Sequence, residues 1–170
     1  MTAPILHMLC GKIASGKSTL ARDLARLPGT VRLAEDDWLA ALFQGDMASI
    51  RDYMQRAARL RGVLGPHVVD LLNAGVSVVL DFQANTVESR AWMRDILNQT
   101  GADHRLHVLT TPDALCLARL RARNETGSHP FAPTEAQFHS LSAHFALPTQ
   151  EEGFHVVRHA VPDGRDRDAD

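Results

Sequence analysis

Short apolar runs alternate with amphipathic stretches along most of the chain, and the alternation predicts strands separated by helices. Ile5-Leu6-His7-Met8-Leu9-Cys10 is mostly apolar without a two-residue period, the mark of a strand buried on both faces. A loop follows from Gly11 to Ser18. Thr19 to Leu27 then carries Leu20, Leu24 and Leu27 at helical spacing, and Pro28-Gly29 stops it. Val31 to Ala34 predicts a second strand. Met47, Ile50, Met54 and Ala57 give a helix over 47–61, and Pro66 is expected in the first turn of a separate helix ending near Leu72.

The second half repeats the theme. Val76 to Asp81 predicts a strand ending on an acid, and Thr86 to Gln99 a helix capped by Thr86. Arg105 to Leu109 is a further strand. Thr111-Pro112-Asp113 opens a helix to about Arg123, and the polar stretch Asn124 to Pro133 interrupts it as a lid segment. Thr134 and Gln137 form a candidate capping box, and Phe154 to Arg158 is the last strand. Strands and helices in this order predict one α/β domain over residues 1–160, with about five parallel strands covered on both faces. Residues 161–170 read as a charged tail with nothing to bury. A ligand belongs beyond the C-terminal strand ends.

Composition narrows the class. The 170 residues are 45% hydrophobic and 22% charged, which excludes a disordered chain. The net charge of −2 lacks the positive footprint of a dedicated nucleic-acid binder. No apolar run reaches the ~18 residues of a membrane span, and the N-terminus lacks a signal-peptide pattern. Cys10 and Cys116 are expected to be buried thiols, so a cytoplasmic protein is expected. The nine histidines do not show metal-site spacing: His104 and His107 fall on opposite faces of a strand, and His139 and His144 are poorly aligned on a helix. The chain uses sixteen arginines and only two lysines, Lys12 and Lys17, which lie five positions apart.

Both lysines fall in Gly11-Lys12-Ile13-Ala14-Ser15-Gly16-Lys17-Ser18, a full match to G-x-x-x-x-G-K-[ST] between a predicted strand and a predicted helix. Glycines let main-chain N–H groups turn inward around an anion, and the following helix adds its positive end. Gly11, Ala14, Ser15, Gly16, Lys17, Ser18 and Thr19 are therefore the expected ATP-binding residues. Lys17 is expected on the β- and γ-phosphates, and the Ser18 hydroxyl on Mg2+.

Acids at the same rim supply the remaining chemistry. Asp36 or Asp37, after the second strand, could take the proton of an attacking hydroxyl while the other caps the helix near Trp38. Asp81 is expected either at the metal or at the substrate. Arg119 and Arg123 share a helix face before the lid, where their charges could stabilise a transferring phosphoryl group. No guanine-reading N-K-x-D sequence is present, so adenine is the expected base.

With these motifs the chain resembles the small P-loop kinases grouped with zeta toxins, chloramphenicol phosphotransferase and polynucleotide kinase, among AAA-type ATP-binding proteins. The resemblance spans Ile5 to about Arg158. It implies that Asp36, in Glu35-Asp36-Asp37-Trp38, is the base, that Arg119 and Arg123 are lid arginines, and that Asp81 and Asn85 lie near the substrate with Asp37. It implies an ATP-dependent phosphotransferase with an alcohol acceptor. Glu35, Asp36, Asp37, Asp46 and Asp52, grouped where the acceptor should enter, favour a cationic small molecule; an aminoglycoside-like antibiotic, inactivated by modification, is the expected substrate. A polynucleotide, nucleoside or metabolite kinase, or a nucleotide-dependent switch, is the alternative.

Overall fold

A computed structural model describes residues 3–127 and 132–160. Five strands, β1 (Ile5–Cys10), β2 (Thr30–Ala34), β3 (Ser77–Gln83), β4 (Asp103–Leu109) and β5 (Val156–His159), form one sheet in the order β2-β3-β1-β4-β5. Every pairing is parallel. The helices are α1 (Lys17–Leu24), α2 (Glu35–Leu42), α3 (Ile50–Asn73), α4 (Val87–Asn98), α5 (Asp113–Thr126) and α6 (Glu135–Ser142). Strand order reverses at central β1, whose C-terminal end therefore opens into the crevice of a doubly wound sheet. No helix among the described residues is long and apolar enough to cross a membrane.

The continuous apolar runs are buried on both sides of the sheet. Leu6, Met8, Val78, Leu80 and Leu106 join Leu60, Leu64, Val68 and Met93 in the main core, under α3 and α4. Leu9 and Val79 face the other way, onto Ala21 of α1. Cys10 and Cys116 are both buried and unpaired.

Three expectations need correction. Pro66 does not start a new helix; α3 runs straight through it for 24 residues. Proline removes one helical N–H and crowds the carbonyl four residues back. That carbonyl belongs to Gly62, and Gly62 and Pro66 are both exposed, so water solvates the freed group. Ala57, Leu60, Leu64, Val68 and Leu72 meanwhile keep an unbroken buried stripe. Asp81 does not end its strand, because β1 shifts register between Met8 and Leu9 and pairs Leu9 with Gln83. The polar interruption begins later than Asn124, since α5 continues to Thr126 and closes on left-handed Gly127. Part of the lid segment and the 161–170 tail lie outside the described residues.

Three histidines from three strands meet on the α1 face of the sheet. His7 Nδ1 lies 3.0 Å from His107 Nε2, and His107 Nδ1 lies 2.9 Å from His159 Nε2. One N–H per neutral ring suffices to make both hydrogen bonds, whereas two adjacent imidazoliums would oppose their protons. Burial, then His7, His159 and Arg105, push His107 down to about 4. The unfolded chain, with a histidine near 6.5, holds more protons between these values, so stability falls on acidification through that window. Urea titrations at pH 7 and 5 should show this loss, about 2 kcal/mol. His107→Phe should flatten it; an unchanged acid limb in that variant would remove the histidine row as its cause.

Candidate active site

The main chain after β1 closes into an anion cradle because three positions accept unusual geometry. Gly16 has φ 105° and caps α1 without any side-chain partner, so the first amides of that helix remain available to a ligand. Ala14 also takes a positive φ, 59°. At Gly11 a Cβ would come within 2.5 Å of Ser15 Oγ. That hydroxyl is buried without a hydrogen-bond partner among the described residues.

Lys17 folds over the cradle and donates to the carbonyls of Gly11 and Lys12, the latter at 2.7 Å. Burial lowers its pKa to about 8, opposed by the carboxylate charges of Asp81 and then Asp36. A polyphosphate placed there would favour the charged ammonium, so binding just above pH 8 should draw in a proton. Lys12, by contrast, turns away to Asp113 at 2.7 Å.

Ser18 and Asp81 meet at the root of the loop. The Ser18 hydroxyl donates to Asp81 Oδ1 at 3.3 Å, while Arg32 Nη2 and Nε donate to Oδ2 at 2.7 and 3.1 Å. One oxygen of Asp81 is thus held by the guanidinium and the other faces the serine. Two hard oxygens side by side, from a hydroxyl and a carboxylate, fit the donor preference of Mg2+. Arg32 escaped the sequence reading. Its signal was an arginine inside a five-residue strand, two positions from Ala34, which pairs with Asp81.

The adjacent aspartates diverge. Asp36 lines the large cavity beside the loop, about 1340 Å3, and accepts from the Tyr53 hydroxyl at 3.1 Å. Burial, and then the charges of Glu35 and Asp36, keep Tyr53 protonated well beyond its ordinary range, so it stays a donor. Asp37 is not a lining residue and leans toward Arg32 at 3.5 Å. Neither aspartate caps α2: the helix starts at Glu35 and its cap residue is Ala34, which places all three acids in the first turn, where the helix dipole favours them.

Asn85 lines the cavity with Asp36 and Asp81 and also supports the loop. Its Oδ1 accepts from Gly11 N–H and its Nδ2 donates to Gly11 C=O, both at 2.8 Å, so the amide braces the cradle. Arg119 and Arg123 both line the cavity, with Thr19. Arg119 Nη1 lies 3.4 Å from the Ser15 carbonyl. Arg123 is half-buried; desolvation lowers its pKa against the opposing pull of Asp36, and its Nε has no partner among the described residues. Arg121 instead pairs with Glu135 outside the cavity.

The acidic entrance does not form. Asp46 and Asp52 do not line the cavity, and Asp52 completes the capping box of α3 with Ser49. Glu35 is buried and bound by Arg61 at 2.8 and 3.3 Å. Burial raises the Glu35 pKa and Arg61 opposes that rise. The electrostatic case for an aminoglycoside therefore fails. These acids are close in sequence, but α2, the loop carrying Asp46 and the start of α3 place them apart.

A family profile described as an AAA domain matches residues 6–148. The chain belongs to this family. Its fold is similar to that of a candidate kinase from Chloroflexus aurantiacus (18% identity, 94% of this chain and 86% of that one, TM-score 0.76). It is also similar to the APS kinase CysC of Mycobacterium tuberculosis in complex with AMPPNP and APS (22% identity, 96% and 91%, TM-score 0.61). A third likeness is to a chain of the Pnkp1/Rnl/Hen1 RNA repair complex (26% identity, TM-score 0.63); it covers 85% of this chain and 43%, less than half, of that one. No curated protein matches in sequence. This AAA-domain chain has the α/β fold of the small P-loop kinases, with the phosphate loop at the strand-order reversal.

Proposed function

We propose that the chain is an ATP-dependent phosphotransferase that moves the γ-phosphate to a hydroxyl group of a small molecule. The observation that carries this reading is the convergence of Asp36 and Arg123 with the phosphate loop in one cavity, close enough for Asp36 to act on the arginine's pKa. A nucleotide switch needs no carboxylate next to the γ-phosphate position with room for an alcohol beside it. Similarity to a kinase that holds AMPPNP supports the nucleotide assignment.

The roles follow from position. The cradle amides and Lys17 bind the polyphosphate and orient its terminal group. Ser18 and Asp81 would hold Mg2+, which supplies charge neutralisation between the β- and γ-phosphates when bound. Asp36, held by Tyr53, receives the proton of the acceptor hydroxyl. The acceptor oxygen then bonds to the γ-phosphorus as the bond from that phosphorus to the β–γ bridging oxygen breaks, and ADP leaves. Arg119 and Arg123 stabilise the charge on the transferring group. Unpaired Cys10 and Cys116 fit a reducing cytoplasm.

Phosphorus NMR of ATP incubated with the protein and pooled alcohols distinguishes the outcomes. A new phosphomonoester resonance matching the loss of the γ signal is expected. Inorganic phosphate as the sole product would instead assign the chain to the hydrolytic switches.

A further inference from the structure

The half of the cavity beyond Asp36 has a composition that selects among alcohols. Its longest wall is one face of α3, where Ile50, Tyr53, Met54, Ala57 and Ala58 recur at helical spacing. Met54 and Ile50 keep 66% and 38% of their surface exposed, and Leu141 of α6 faces the same cavity at 38%. Large apolar side chains left open around a concave site mark where an apolar ligand surface docks. Ala57 and Ala58 leave room at the middle of the wall, and Phe82 and Trp92 close its end with their rings 5.6 Å apart.

Charge in this half largely cancels. Arg61 lies over Trp92 and Phe82, 5.6 and 5.9 Å from their ring centres, and its guanidinium is tied to Glu35. Arg51 and Arg59, on the same helix, do not line the cavity, so Arg61 is the one cation that α3 brings to it. The remaining acid of this half is Asp36, whose proposed work is with the hydroxyl proton. A polycation would find an apolar wall and acids already engaged: Glu35 with Arg61, Asp81 with Arg32 and Ser18, and Asp23 with Arg26.

Resting on the kinase reading, we propose that the acceptor is an uncharged alcohol with an apolar, ring-sized body. The body lies along α3 toward Trp92 while its hydroxyl reaches Asp36. Mass spectrometry after incubation with Mg·ATP should find phosphate added to neutral aromatic alcohols in a panel that also holds sugars, aminoglycosides and 5′-hydroxyl oligonucleotides. Filling the wall with Ala58→Trp should raise KM for the alcohol about tenfold or more. Kd for Mg·AMPPNP should not change, and Val63→Trp, on the same helix but 71% exposed and outside the cavity lining, should behave as the parent. Phosphate found only on the sugars, polycations or oligonucleotides, or an Ala58→Trp variant with unchanged KM, overturns the acceptor class and leaves the kinase reading standing. Phosphate on no member of the panel overturns both.

Discussion

Replacing Asp36 by asparagine is expected to slow phosphoryl transfer about 10²–10⁴-fold while nucleotide affinity stays within about twofold of the parent, the range for loss of a positioned general base. The change preserves shape and the acceptor oxygen for Tyr53, whose hydroxyl lies 3.1 Å from the carboxylate, so folding should survive. It removes the basic oxygen that takes the hydroxyl proton. Asp37→Asn is the control: Asp37 sits outside the cavity lining with 65% of its side chain exposed, and its loss should leave kcat within about twofold, as for a surface charge. Single-turnover rates for the two variants check this. Equal loss in both would show that the acidic turn acts as a unit, and full activity in Asp36→Asn would remove it as the base.

The second large effect lies away from the chemistry. Arg90 is fully buried, and every nitrogen of its guanidinium has a partner: Nε and Nη2 on Glu152 at 2.6 and 3.0 Å, and Nη1 on the carbonyls of Ala84 and Ala146 at 3.0 and 2.8 Å. Removing one partner of a buried pair strands the other charge, and Arg90→Ala should cost about 3–5 kcal/mol. For a chain of this size that corresponds to a Tm lower by roughly 10 °C. The damage should spread. Ala146 donates to the carbonyl of Asn85, whose side chain braces Gly11, so Arg90 ties the segment after α6 to the phosphate cradle. Calorimetric melting should show the drop. A Tm within about 2 °C of the parent would mean that the site collapses without penalty.

The parallel α/β layout and the phosphate loop were legible because they are local. Continuous apolar runs, the capping pairs at Thr86 and Thr134, and a glycine-framed lysine between strand and helix each act over fewer than ten residues. What the sequence hid depends on parallel pairing between distant segments. Arg32 reaches Asp81 because β2 lies beside β3, and His7, His107 and His159 align because β1, β4 and β5 are neighbours. Asn85 could be placed near the site by its distance from Asp81, but its bonds to Gly11 follow from the β1 register shift. The acids from Glu35 to Asp52 mislead for the opposite reason: nearness along the chain counts for little once α2, the loop carrying Asp46 and the start of α3 place them apart. Pro66 misleads as well, because the rule that proline starts a helix fails where the residue four before it is an exposed glycine.

The account depends most on a polyphosphate gripped by the main-chain cradle and Lys17. Isothermal titration of Mg·AMPPNP into the protein just above pH 8, repeated in two buffers of different ionisation enthalpy, measures that grip directly. The account predicts single-site binding with net proton uptake as Lys17 regains its charge from a pKa of about 8, and loss of both in Lys17→Ala. Absence of heat from the folded protein, or equal binding in Lys17→Ala, would contradict it.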